Sequence, residues 1–321
     1  MRAIKLLFAT TALLLGSHAM AQAWPAKPVT LIVSTGSSSG SDIIARLIQP
    51  RLQQMWGQPV VVENRVGASG SIGTTAVARA APDGYTILMT PSTITMLASL
   101  VKSTPWDPEK SFEPVSLIAY TLLALAVNAD LPVKSVSELI ALARSKPGQL
   151  NYVTPGSGTP QHLSAELFKQ VNGLEIVHVP YKSLPAANTD LAGGRGQMGM
   201  LGLSSIMPLV RAGKIRVLAT HGDARAAATP DVPTFKELGM GSVAADQYIA
   251  AFVPKGTAKD AYDRIVRDFV AISNRPDFQA ELVKQDLVPT KDPSPAGLAA
   301  ALRRDVPAWR KVIEVGKIEA D

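Results

Sequence analysis

The sequence contains no cysteine, which excludes a disulfide framework, a thiolate nucleophile, a thiolate metal site and the acceptor that a lipid anchor needs. Aromatic residues make up only 5% of the 321 residues, and no Lys/Arg cluster with interleaved aromatics occurs, so no nucleic-acid partner is expected. Histidine is scarce: His18, His162, His178 and His221 complete the set. Neither H-E-x-x-H nor another close His/carboxylate spacing is present, and neither a metal centre nor a cofactor is expected. A G-x-S-x-G nucleophile elbow is missing too. Gly36–Gly40 reads GSSSG with Ser38 central, but without the register of that motif, so a serine hydrolase is set aside and no enzyme is expected. Beyond the N-terminus, no run approaches the roughly 20 apolar residues needed to span a bilayer.

The first residues do carry a signal. Arg2 and Lys5 precede an apolar run from Leu6 to Leu15, followed by small residues spaced for cleavage after Ala21 or Ala23. This is the pattern of a secretory leader, and cleavage after Ala23, just before Trp24-Pro25, defines a signal peptide over 1–23. The expected product is a soluble periplasmic monomer. Losing the leader, which holds Arg2 and Lys5 and no acid, lowers the formal charge from +6 to +4, a mild excess that suits anionic ligands.

Roughly 300 remaining residues exceed what one core usually covers. Val29 to Val33 is an apolar, β-rich run followed by a small-residue loop and a helical pattern from Ile43 to Met55. Short strands at 58–64 and 85–89 alternate with a helix at 74–81, and the alternation resumes from Leu122 through the strand 215–219. Apolar residues near 248–253 and three helices, 258–273, 276–284 and 295–315, finish the chain. The pattern predicts an α/β fold with two lobes, each a mainly parallel sheet flanked by helices. With crossings near Leu122–Asn128 and Asp246–Val253, lobe I takes 24–125 plus 250–321 and lobe II takes 126–249.

In such lobes the loops at the carboxyl ends of strands face the ligand crevice, and a helix N-terminus there offers free N–H groups and partial positive charge. Thr35 to Asp42 has this placement, with hydroxyls at Ser37, Ser38, Ser39 and Ser41 and backbone access at Gly36 and Gly40. It also reads as an ordinary Ser/Gly turn with Ser41 or Asp42 as a helix cap. Thr154 to Thr159 has the same character in the second lobe, and the pair points to one shared ligand. Ser92 and Thr93, just past the strand ending at Met89, line the first lobe by spacing. The GASGSIG loop lacks a dinucleotide fingerprint's spacing and reads as packing. His162 opens its helix and His178 sits in a strand, each as a structural residue.

The segments WPAKPVTLIV, GQPVVVENRVGASGSIGTTAVARAAPDGYTILM, LNYVTPGSGTPQHLSAELF, VHVPYKSLPAANTDLAGG and PDVPTFKELG resemble the substrate-binding receptors of tripartite tricarboxylate transporters, the Bug family. The resemblance covers essentially the whole mature chain and implies a type II periplasmic binding fold, a Venus flytrap that presents a captured small organic carboxylate to an inner-membrane permease. Family members commonly carry P-F-P-A-G-G-x-T-D after the first strand and hold a ligand carboxylate there. Ser38, Ser39, Ser41 and Asp42 match that stretch, with Thr35 at the Phe position. Gly156, Ser157, Gly158, Thr159 and His162 match the second loop, and Tyr181-Lys182 the opposite wall.

One departure stands out. Where family sequences often read Q-V-D-x-M-F-D-N, this chain has Gln197, Met198, Gly199, Met200, Leu201 and Gly202 in that region, without either acid. Leu201 in place of an Asp disfavours an amino-acid ligand, and a less polar wall favours an apolar-bodied acid such as terephthalate over citrate or an aliphatic dicarboxylate. Alternatively, Leu201 faces the core and says nothing about the ligand. A sensor that hands its signal to a membrane kinase would bind equally well.

Overall fold

In a computed structural model the chain forms two sheets with helices on both faces of each. The structure describes residues 24–318 except 38, 101–103, 223 and 242–246. The leader expected over 1–23, the site residue Ser38 and Asp246 lie outside the described residues.

The first part of the chain runs β1 (Val29–Val33), α1 (Gly40–Trp56), β2 (Val60–Asn64), α2 (Ser71–Ala78), β3 (Thr86–Pro91), α3 (Ile94–Leu100) and β4 (Phe112–Thr121). It then enters β5 (Leu123–Asn128), α4 (Val136–Ser145), β6 (Asn151–Thr154), α5 (Pro160–Asn172), β7 (Val177–Pro180), α6 (Leu184–Ala192), β8 (Met198–Gly202), α7 (Leu203–Arg211) and β9 (Ile215–Thr220). It returns through β10 (Gln247–Pro254), α8 (Lys259–Ser273), α9 (Pro276–Lys284), β11 (Leu287–Pro289) and α10 (Pro295–Gly316). The six-stranded sheet has the order β11-β4-β10-β3-β1-β2 and the five-stranded sheet the order β7-β6-β8-β5-β9.

Most strands of each sheet share one direction. The exceptions are β10 and β11 in the first sheet and β5 in the second. β5 and β10 are the strands entered as the chain crosses between sheets, so their reversals mark the crossings, while β11 is an antiparallel edge strand. Because β1, β3 and β4 run the same way, the loops after β1 and β3 share an edge with Thr121, where the chain leaves for the second sheet. Leu123 pairs with Gly202 at the end of β8, and β6 and β7 run parallel to β8. The loops after β6, β7 and β8 therefore lie on the second sheet's crossing edge.

Both sheets are buried on both faces. One apolar layer joins Val29, Leu31 and Val33 to Ile44, Ile48 and Leu52 of α1 and Phe269 of α8, and another joins Ile32 and Leu88 to Ile94, Leu298 and Leu302. The spacing Ile44, Ile48, Leu52, Trp56 makes one apolar face of α1. A separate cluster crosses between the sheets: Met96 and Leu100 of α3, Leu163 of α5, and Trp309, Val312 and Ile313 of α10. Among the described residues no helix is long and apolar enough to cross a membrane.

Candidate functional site

The first loop leaves β1 at Ser34, whose hydroxyl donates to Thr90 Oγ1 at 2.8 Å and so ties the ends of β1 and β3. Ser39 caps α1: its Oγ accepts from Asp42 N–H at 3.3 Å and lies 2.7 Å from Thr35 Oγ1, while its carbonyl accepts from Ile43 N–H. With Asp42 and Ile43 satisfied, the first-turn N–H groups of Gly40 and Ser41 are those for which the helix supplies no partner. They sit at the positive end of a 17-residue helix. Gly36 and Ser37 are exposed, Thr35 and Ser39 half-buried, and Ser41 is buried.

Asp42 has a different part from the one expected of it. Its carboxylate accepts from Arg46 Nε at 3.1 Å and from Asn64 Nδ2 at 2.9 Å, and Asn64 also donates to Thr35 O at 3.1 Å. The residue is 3% exposed. It braces the loop from behind and is held by its own cation; a second carboxylate placed against it would be repelled.

The second loop has the same construction. Thr159 caps α5, accepting from His162 N–H at 3.4 Å and donating to Gly156 O at 2.8 Å. Thr154 Oγ1 lies 3.3 Å from Gly156 N and 2.7 Å from His178 Nε2, and Gly158 N–H donates to His162 Nδ1 at 3.0 Å. Gly156 and Gly158 have φ of 142° and 71°, values that L side chains seldom adopt, so the tight turn requires glycine. Ser157 and Thr159 are half-buried. Beneath the loop, Tyr152 donates to Glu166, which also pairs with Lys169. Burial first, then the Glu166 charge, raises the Tyr152 phenol well above its ordinary range.

Other expected residues are placed less openly. Tyr181 backs the second loop, its N–H donating to Thr154 O at 2.9 Å, but its hydroxyl donates to Asp190 at 2.7 Å and belongs to the wall. Asp190 is itself paired with Arg195, whose hydrogen bond, together with that of Tyr181, holds its pKa below the ordinary carboxylate range. Ser92 exposes no surface, and Thr93 Oγ1 turns back to Pro91 O at 3.4 Å. Leu201 corrects the sequence reading most clearly. It is fully buried, packed with Val153, Ala187, Leu191, Leu203 and Ile206, so it faces the core and carries no information about a ligand. Sequence reasoning missed Arg46 and Asn64, whose tie to Asp42 spans residues with no shared motif. Among the described residues no group of three or more His, Asp or Glu could hold a metal ion.

The profile of the family described as "Tripartite tricarboxylate transporter family receptor" matches residues 44–316. The chain is similar to a UPF0065 protein of Bordetella bronchiseptica, 34% identical over 306 residues that cover 94% of this chain and 89% of the relative. It is 36% identical over 239 residues to the protein BugT of Bordetella pertussis, covering 74% and 73%. Among solved structures, R. palustris Rpa4515 with adipate superposes with a TM-score of 0.81 at 33% identity, covering 92% of this chain and 99% of the other. MatC of Rhodopseudomonas palustris with bound malate superposes with a TM-score of 0.78 at 26% identity, covering 90% and 100%.

Proposed function

The chain belongs to the tripartite tricarboxylate transporter receptor family, and from that premise we propose that it captures a small dicarboxylate between its two lobes in the periplasm and presents it to a cognate permease. In this reading lobe I comprises 24–125 with 250–321, and lobe II comprises 126–249. The observation that carries the proposal is the pair of capped Ser/Gly loops, Thr35–Asp42 and Thr154–Thr159, each at a strand's carboxyl end on the edge where its sheet meets the crossing. Each loop offers main-chain N–H groups at a helix N-terminus, which suits one carboxylate per loop. Charge-assisted hydrogen bonds of this kind contribute about 1.5–3 kcal/mol each.

An aliphatic dicarboxylate is favoured over terephthalate. The argument for an aromatic body rested on Leu201 lining the wall, and Leu201 is in the core; the adipate-bound relative supports the aliphatic choice. Calorimetry with adipate, malate, citrate, terephthalate and aspartate tests this. Adipate or malate is expected to bind most tightly, without turnover. Ser37→Asp, which sets a negative charge on the exposed first loop, is expected to weaken that binding tenfold or more (about 1.4 kcal/mol) with an unchanged Tm. If only aspartate bound, or if Ser37→Asp left affinity intact, the proposal would fail.

A further inference from the structure

Beneath the second loop three rings cluster in near-parallel planes. His162 and His178 lie 3.9 Å apart between centroids at 10°, and Tyr152 flanks the pair, 4.9 Å from His178 and 6.2 Å from His162. Each histidine also reaches the loop. His178 Nε2 lies 2.7 Å from Thr154 Oγ1, a contact that a neutral or a protonated ring can make because a hydroxyl both donates and accepts. The contact of His162 has no such freedom. Its Nδ1 receives Gly158 N–H at 3.0 Å, and a main-chain N–H can only donate. That bond requires a lone pair on Nδ1, and therefore a neutral ring with its proton on Nε2.

We propose that neutral His162 is a positioning residue for the second carboxylate-binding loop, and that protonation at Nδ1 detaches Gly158 and weakens ligand capture. The inference rests on the reading that this loop meets the ligand. Among the described residues, the titratable side chains tied to this cluster include His178 and Tyr152 on the sheet, and Glu166 and Lys169 further along α5. Glu166 is already shared between Tyr152 and Lys169. His162 is 7% exposed, so water does little to replace the lost bond.

The sign of the effect makes the inference testable. By Coulomb attraction alone, an imidazolium beside an anion site would strengthen binding as pH falls; detachment of Gly158 predicts weakening, over the range around pH 6.5 where histidine ordinarily titrates. The experiment follows adipate affinity by calorimetry at pH 5.5, 6.5, 7.5 and 8.5 in the full mature chain, in His162→Asn and in His162→Ala. Asparagine Oδ1 can stand where Nδ1 does and accepts without titrating. At pH 7.5, His162→Asn is expected to bind within about threefold of the native chain, and His162→Ala about tenfold more weakly. Between pH 7.5 and 5.5 the native chain is expected to lose at least fivefold more affinity than His162→Asn, whose profile carries the titrations of adipate and His178 that the two proteins share. Coincident native and His162→Asn profiles, or native binding that strengthens toward pH 5.5, would overturn the inference. The Gly158 amide resonance in the ligand-free protein gives a second readout: it should titrate in the native chain and stay fixed in His162→Asn. Adipate binding with an unmoved Gly158 amide sinks the His162 inference alone. A titrating amide with no binding to any dicarboxylate sinks instead the receptor reading on which it rests.

Discussion

At the scale of single residues, the proposed site divides into groups offered to a ligand and groups that hold those in place, and the bonds of Asp42 put it with the second kind. An aspartate in the first turn of a helix is stabilised by the helix dipole, and here it also accepts from Arg46 and Asn64 while almost fully buried. Asp42→Asn removes the charge that both donors address. The expected cost is about 2 kcal/mol, or roughly 4–8 °C in Tm for a lobe of this size, with adipate affinity changed by less than about threefold. The opposite pattern, an unchanged Tm with a large loss of affinity, would place Asp42 against the ligand and restore the role the sequence assigned to it.

At the scale of elements, the GASGSIG loop shows how a neighbouring segment shapes the candidate site. A Cβ at Gly73 would lie 2.7 Å from Arg65 O and 2.9 Å from Ser34 Cα, so α2 can press against the start of the first ligand loop only with glycine there. Gly73→Ala should push α2 away from Ser34, stretch the Ser34–Thr90 hydrogen bond, and cost about 1–3 kcal/mol by overpacking. Adipate affinity should fall together with Tm, as calorimetry and thermal melts on the same preparation would show. Unchanged affinity in a destabilised variant would mean that the loop keeps its shape without this support. The packing reading of that loop was legible in the sequence because spacing alone excluded a nucleotide. The β-loop-α repeats were legible as well, because strand and helix periods are local properties: the helix at 276–284 has the ends the pattern implied. Three elements were not. β4 contains Pro114 beside a register shift against β10, a place where a central strand tolerates the missing N–H, and its FEPVSLIAYT carries neither clean alternation nor an apolar run. Six of the seven residues of α3 come out buried or packed against neighbours, leaving no polar face to mark its period, and β11 has only three residues. Leu201, likewise, could face a cleft or a core on sequence grounds, because strand alternation names two faces without saying what covers either.

At the scale of the whole molecule, the crossings divide the space between the lobes into two sides. The two capped Ser/Gly loops follow β1 and β6, on one side of β4, β10 and β5. On the other side, β11 and the segment after β9 enclose a cavity of about 670 Å³ lined by Tyr120, Thr121, His221, Ala226, Gln247 and Ala300, among others. If the lobes turn about the crossings, one side narrows as the other widens, so the rear cavity measures how far the front is closed. The α3–α5–α10 cluster around Trp309 ties the lobes independently of the crossings and restrains that turn. Ala300 lines the cavity from an exposed position on α10, where a larger side chain can be added without disturbing a core. Ala300→Trp should resist collapse of the rear cavity and thereby disfavour the open front. A ligand can shift such an equilibrium only by its differential affinity for the two states, so relieving part of the closing cost appears directly as tighter binding. Adipate affinity is expected to rise two- to tenfold, up to about 1.4 kcal/mol, with a smaller radius of gyration in the ligand-free protein by X-ray scattering. Weaker binding, or tighter binding with no change in the ligand-free radius, would show that the crossings do not act as a common pivot and that closure comes from movement of the loops themselves.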